Sequence, residues 1–220
     1  MTHPPSPVVR FVYFDLGNIL YRFDVDRSHR QLARELSVSV SDVYRMMVTE
    51  GLADAYERGE VTDQQFATEL VGGGVHRQNH PSEPVESSRV DRILDAAGDM
   101  FTVIDGMDSV IDRVARQVPI GLLSNTCHAH FRWIERMPDA LVQPFANRVL
   151  SYQAASMKPA AGIYHRAERL AKANAEVDPP AILFLDDKPE NVAAALRRGW
   201  QSVVCQGEAE VSKALAKFGL

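Results

Sequence analysis

Cysteine is scarce. Cys127 and Cys205 are the only two in 220 residues. They form no metal-ligand spacing, so reduced thiols in a cytoplasmic protein are the expectation. Positive charge is also short. Lys and Arg number 24 against 29 Asp and Glu, for a net charge of −5. The basic residues are scattered, which gives no electrostatic footprint for nucleic acid and no basic patch for a membrane surface. No apolar run approaches the roughly 20 residues of a membrane span. Met1 to Pro7 holds three prolines and lacks the apolar centre of a signal peptide, so a loose tail is expected there. No internal repeat is visible. The only tryptophans, Trp133 and Trp200, read as packing residues.

What is present is an alternation of short apolar runs and helical periodicity. At 220 residues and 45% hydrophobic content the chain can bury a sizeable core. Residues 9–15, 119–123, 148–151, 181–185 and 202–205 read as strands, with helices between and after them. Gly199 stands where a helix over 192–198 would stop. This pattern predicts an α/β fold, a doubly wound parallel sheet with the strand ends along one edge.

One block breaks the alternation. A short hairpin is expected over 21–24, and from about Asp24 to Met100 the periodicity is helical. Asp26 and Ser41 are candidate caps for the first two helices. Thr62 with Gln65 forms a capping box ahead of Phe66, Ala67 and Leu70. Gly72 to Pro84, which includes His76 and His80, reads as a polar loop. Ser87 or Ser88 opens a further helix with Val90, Ile93, Leu94, Ala97 and Phe101 at helical spacing. The expected organisation is a core over 1–22 and 102–220 interrupted by a helical insertion over 23–101.

Three predicted strands end in polar signals: Asp15, Ser124-Asn125-Thr126 and Asp186-Asp187. Met157-Lys158-Pro159 follows another strand. Open α/β sheets put their chemistry outside the carboxyl ends of their strands. Two adjacent carboxylates at an apolar strand end repel unless a cation offsets them. Asp15 with the Asp186-Asp187 pair offers hard oxygen ligands for Mg²⁺. Ser124, Asn125 and a helix N-terminus offer donors to phosphate oxygens, and Lys158 offers a positive charge to a transferred group. Carboxylates are known nucleophiles in phosphoryl transfer.

On these four stretches the sequence resembles the haloacid dehalogenase-like (HAD) hydrolases over essentially its whole length. The helical block looks like the family's C1 cap, including Glu57-Arg58-Gly59-Glu60-Val61-Thr62. The resemblance implies a Rossmann-like core with Asp15 as nucleophile. It implies a Mg²⁺ cofactor held by Asp15, the Gly17 carbonyl and Asp187, with Asp186 contributing directly or through water. Ser124 and Asn125 would bind phosphate, and Lys158 would hold both phosphate and nucleophile. Asn191 would either buttress the metal loop or cap the following helix.

The sequence departs from the family at one position. Phosphatases of this kind usually carry a second Asp two residues after the nucleophile as general acid and base, and here Gly17 stands there. General acid–base catalysis is worth about 10²–10⁴-fold. Three readings follow: a leaving group that needs less help, a relay through Asp24, Asp26, His128 or His130, or binding without turnover. Asp15-Leu16-Gly17-Asn18 resembles the bacterial α-D-glucose-1-phosphate phosphatase branch, related to the N-terminal phosphatase domain of epoxide hydrolases. It implies a cytoplasmic phosphatase of small phosphorylated metabolites such as glucose 1-phosphate, with no nucleic acid or membrane as partner. The alternatives are a 2-haloacid dehalogenase-type hydrolase and a non-catalytic phosphate-ligand binding protein.

Overall fold

A computed structural model describes residues 8–74 and 84–220. The tail Met1–Pro7 and the loop histidines His76 and His80 lie outside the described residues.

Five strands form one parallel sheet: β1 (Phe11–Phe14), β4 (Ile120–Ser124), β5 (Asn147–Leu150), β6 (Ile182–Asp186) and β7 (Gln201–Val204), in the order β5-β4-β1-β6-β7. Side chains alternate across β1 and feed two cores. Val12 and Phe14 pack with α6 (Met107–Ala115), α7 (His128–Arg136) and α11 (Gly207–Ala216). Phe11 and Tyr13 pack with α9 (Ala161–Ala175) and α10 (Pro189–Arg197). With both faces covered, β1 is buried at every residue, which is why it reads as a continuous apolar run. Trp200 is buried and stacks on Tyr13 at 5.7 Å, a packing role as expected. From β1 the chain builds outward to β4 and β5, then returns to add β6 and β7 on the other side. The ends of β1, β4 and β6 therefore flank the switch point, where such sheets bind ligands.

The helical block comprises α1 (Val25–Leu36), α2 (Val40–Tyr44) continuing into a π-helical turn over Arg45–Thr49, α3 (Leu52–Glu57), α4 (Asp63–Gly72) and α5 (Ser87–Gly98). It has its own apolar cluster, which includes Leu32, Met46, Phe66 and Ile93 and extends to Cys127 and Ala129 of the α7 region. Gly98 lets α5 lie close against α7, since a Cβ there would come within 2.6 Å of Trp133 Cβ. The predicted capping box is present: Thr62 and Gln65 satisfy each other's backbone amides. No helix among the described residues is long and apolar enough to cross a membrane.

Four local expectations need correction. Residues 21–24 form no local hairpin. Tyr21–Phe23 is β2, and it pairs antiparallel with β3 (Phe101–Val103) far along the chain. Phe101 consequently leaves the α5 helix and joins that ribbon opposite Phe23. The cap of α1 is Asp24, which accepts from Arg27 N at 2.9 Å, and Asp26 lies within the first turn. The cap of α2 is Ser39, not Ser41. In both helices a second capping-type residue two positions away made the assignment ambiguous. The ribbon matters for function, because β2 and β3 are the two crossings between the sheet and the helical block.

Candidate active site

Asp15 follows the last residue of β1, and its backbone amide donates to Leu185 O on β6 at 3.0 Å. Asp186 ends β6 and Ser124 ends β4, so neighbouring strands bring all three to one edge. Lys158 reaches the same point from the loop after α8 (Ser151–Ala154). Its ammonium lies 2.9 Å from Asp15 Oδ1 and 2.6 Å from Asp186 Oδ2, and donates to Leu123 O at 2.8 Å. The three acceptors exhaust its three hydrogens.

Asn125 fixes this lysine from behind. Its Oδ1 accepts from Lys158 N at 2.7 Å, and its Nδ2 donates to Lys158 O at 2.9 Å. Asn125 thus locks the Lys158 backbone to the end of β4. Asn191 is buried and donates to both oxygens of Asp186, at 3.0 and 3.1 Å. It buttresses the Asp pair and is no helix cap, since Lys188 holds the cap position of α10. Lys188 N adds a third donor to Asp186 at 2.8 Å. Asp186 therefore has every direction occupied by protein, and it acts on the site by holding Lys158.

Asp187 is only partly buried, and its Oδ2 accepts from Asn18 Nδ2 at 2.9 Å. Asn18 has a left-handed backbone, φ 57°, a conformation Asn adopts more readily than most residues. Nothing in the sequence pattern assigns Asn18 a role, and the Gly-Asn pair after an apolar strand is the available signal. One oxygen of Asp187 and the Gly17 carbonyl accept no hydrogen bond among the described residues, while the Asp15 carboxylate also accepts from the Ser124 hydroxyl. Carboxylate oxygens of Asp15, Asp186 and Asp187 come within 4.8 Å of one another. Three carboxylates against one buried ammonium leave negative charge uncompensated, and the donors are all oxygen. Such a set suits a hard divalent cation.

Electrostatics follow from this crowding. Burial pushes the Asp15 carboxyl up to about 6, with Lys158 opposing and Asp186 adding to the rise. Burial works to lower the Lys158 ammonium, but Asp15 and Asp186 outweigh it and hold it above its ordinary value.

Asp15, Ser124, Asn125, Lys158, Asp187 and Asn191 line the floor of a cavity of about 340 Å³, within the range of small-molecule sites, and Asp186 lies behind them. The roof comes from the helical block and the ribbon: Val25, Met47, Val48, Ala53, Phe23 and Phe101, with Glu57 and Asp54 from α3. Of the four candidate proton relays, only His130 lines the cavity. Burial holds it down to about 4, leaving it neutral, and its ring meets Phe101 edge-on at 5.4 Å. Asp24 and Asp26 sit at the start of α1, outside the lining. His128 also lies outside the lining and pairs with Asp63 of α4 at 2.6 Å. The sequence does not single out Glu57 as an individual residue, because only the three-dimensional path of α3 turns it toward the strand ends.

No protein-family model and no curated protein matches the sequence. Solved structures do match in fold. A predicted HAD-like family hydrolase from Porphyromonas gingivalis is 23% identical, with 96% of this chain and 98% of that one covered at a TM-score of 0.73. A HAD family enzyme from Bacteroides thetaiotaomicron, solved with magnesium and inorganic phosphate, is 19% identical over 94% and 98% of the two chains, also at 0.73. A 2-haloacid dehalogenase from Pseudomonas syringae is 14% identical over 96% and 100%, at 0.65. The chain has the fold of the HAD-like hydrolases across nearly its whole length.

Proposed function

We propose that the protein is a Mg²⁺-dependent phosphatase of small phosphorylated metabolites. Sugar phosphates such as glucose 1-phosphate are the preferred class, and the reaction passes through an aspartyl-phosphate on Asp15. The observation that carries this reading is the buried Lys158 ammonium clamped between Asp15 and Asp186 beside the partly open Asp187. The Bacteroides relative, with magnesium and phosphate in its crystal, supports it. In this reading residues 23–101 are a cap over a core of 1–22 and 102–220. Two buried free thiols, Cys127 and Cys205, suit a reducing cytoplasm.

Asp15, the Gly17 carbonyl and Asp187 would hold the metal, with Asp186 behind them. Bound Mg²⁺ supplies charge neutralisation of the phosphate oxygens and polarises phosphorus toward attack. Ser124 and Asn125 receive the phosphate at the end of β4, and Lys158 keeps the Asp15 carboxylate ionised and oriented. Asp15 attacks phosphorus, the ester oxygen leaves, and water then attacks phosphorus and releases the Asp15 carboxylate. The apolar roof excludes bulk water during the first step.

Phosphate release from α-D-glucose 1-phosphate and glucose 6-phosphate, in Mg²⁺ and in EDTA, tests the reading, with Asp15→Asn as the control. Metal-dependent release, lost in the variant, is expected. Absence of metal-dependent release across a sugar-phosphate panel would overturn it. A second reading has the Pseudomonas dehalogenase fold in its favour. Against it, Asp187 adds an uncompensated carboxylate where an anionic haloacid would approach. Halide release that persists in EDTA would favour it, and ligand-dependent melting without turnover would favour a binding protein.

A further inference from the structure

On the floor, the groups that surround Asp15 are committed elsewhere and have no proton free for the leaving oxygen. Gly17 has no side chain, and a Cβ there would meet Phe23 Cε1 at 2.9 Å, so the ribbon occupies the space. Lys158 spends its hydrogens on Asp15, Asp186 and Leu123 O. Asp186 is fully engaged, and burial keeps His130 neutral.

The roof does have such a group. Glu57 ends α3 and lines the same cavity as Asp15 and Lys158. Its backbone is tied to the floor: Glu57 O lies 2.7 Å from Ser151 Oγ, and that buried oxygen accepts from Thr126 N at 2.9 Å. Thr126 belongs to the loop that carries Ser124 and Asn125. Two residues on, Gly59 turns with φ +72°, and a Cβ there would overlap the carbonyl of Tyr152. The segment is therefore seated closely on α8. By contrast, the Glu57 carboxyl accepts no hydrogen bond among the described residues and opens toward the cavity. The titratable groups around it are Asp54 on its own helix, the Cys127 thiol before α7, Lys188 from the turn before α10, and Asp15 and Lys158 on the floor. Burial, helped by Asp54 and opposed by Lys188, pushes its carboxyl up to about 7. General acid–base groups work best when their pKa lies near the operating pH.

We propose that Glu57 is the general acid and base of the reaction, acting from the cap where position 17 has no side chain. The proposal rests on the phosphatase reading above. In the first step the Asp15 carboxylate forms a bond to phosphorus, the ester P–O bond breaks, and the Glu57 proton passes to the departing oxygen to give a neutral alcohol. In the second step water attacks phosphorus, the Glu57 carboxylate takes its proton, and the P–O bond to Asp15 breaks to release phosphate. Glu57 then carries a proton again, and the sum is ester plus water giving alcohol plus phosphate. An in-line attack from Asp15 on the floor puts the departing oxygen on the side of the roof, where Glu57 stands.

The test compares two esters of similar shape, 4-nitrophenyl phosphate, whose leaving group needs no proton, and 4-nitrobenzyl phosphate, whose leaving group does. The readout is kcat/KM, because it covers the steps through P–O cleavage only, measured for the wild type, Glu57→Gln and Glu57→Asp. Glu57→Gln is expected to lose about 10²-fold or more on the benzyl ester and less than about threefold on the nitrophenyl ester. Glu57→Asp should fall between on the benzyl ester. In the wild type the benzyl rate should decline above about pH 7, as Glu57 gives up its proton, while the nitrophenyl rate should not. Equal losses on both esters would reduce Glu57 to a structural or binding residue, and no loss on either would remove it from the reaction. Each overturns the proposal and leaves the phosphatase reading standing. A wild type that releases no phosphate from these esters or from sugar phosphates overturns both.

Discussion

The floor and the roof of the cavity are built on opposite principles. On the floor, Lys158, Asp186, Asn125 and Asn191 satisfy one another almost completely, and Lys158 and Asp186 are 4% and 0% exposed. The roof is mostly apolar side chains from short helices and a two-stranded ribbon, with two carboxyls, Asp54 and the more buried Glu57, and no hydrogen bond is made to the Glu57 carboxyl among the described residues. A saturated network is rigid and suits a task that is the same for every substrate, such as holding a phosphoryl group. A loosely bonded apolar surface can select a substrate and move. The proposed division of labour follows: the floor supplies the nucleophile and the charge, and the roof supplies selection and the proton.

The sharpest way to break this contrast is Lys158→Met. It leaves Asp15 and Asp186 facing each other without the shared ammonium, so a loss of about 3–5 kcal/mol is expected, together with loss of turnover. Thermal unfolding checks this, and a fall in Tm of only a degree or two would mean that the floor is not held through Lys158. Added Mg²⁺ should recover part of the lost stability by offsetting the two carboxylates.

The roof should respond with the opposite sign. Glu57 ordinarily titrates near 4.5 and is pushed up to about 7 in the fold, so the folded state holds its proton more tightly than the unfolded chain. Stability from this group is full below the unfolded value and declines as pH rises through about 7. Glu57→Gln removes that decline. Its Tm should match the wild type in acid and exceed it by about 2–4 °C near pH 8. A Tm below that of the wild type at both pH values would contradict the account of Glu57 as a group strained by burial.

A smaller effect is expected where the helical block is clasped to α7. Tyr56 donates to Asp63 at 2.5 Å and accepts from Ala129 N at 3.2 Å, beside the Asp63–His128 pair. Tyr56→Phe should cost about 1 kcal/mol and raise KM more than it lowers kcat. An unchanged KM with a reduced kcat would put Tyr56 in the chemistry rather than the clasp.

The two regions also differ in how far the sequence reveals them. The floor residues at the strand ends announce themselves, because an apolar strand that ends on Asp15, Ser124 or Asp186 exposes its function in the pattern that makes it a strand. The sequence settles no role for Asn18 or Asn191, since their hydrogen bonds depend on how one loop meets another. The roof was legible only as helices. Phe101 reads as helical because its spacing from Ala97 is helical, yet its pairing with Phe23 across the whole inserted block is a long-range choice that periodicity cannot express. Glu57 faces the strand ends only because Gly59 and Ser151 seat α3 on the core. Such contacts between distant segments leave no periodic mark in the sequence.

The most direct test of the central claim is whether the phosphoryl group passes through Asp15. The wild type would be mixed with Mg²⁺ and α-D-glucose 1-phosphate, or the ester it turns over best, and quenched in acid within one turnover. Peptide mapping would then locate any phosphoryl group. The account predicts a phosphoryl adduct on the peptide that contains Asp15, formed with Mg²⁺, absent in EDTA and absent in Asp15→Asn. Turnover that proceeds with the label on another residue, or that survives in Asp15→Asn, would contradict it.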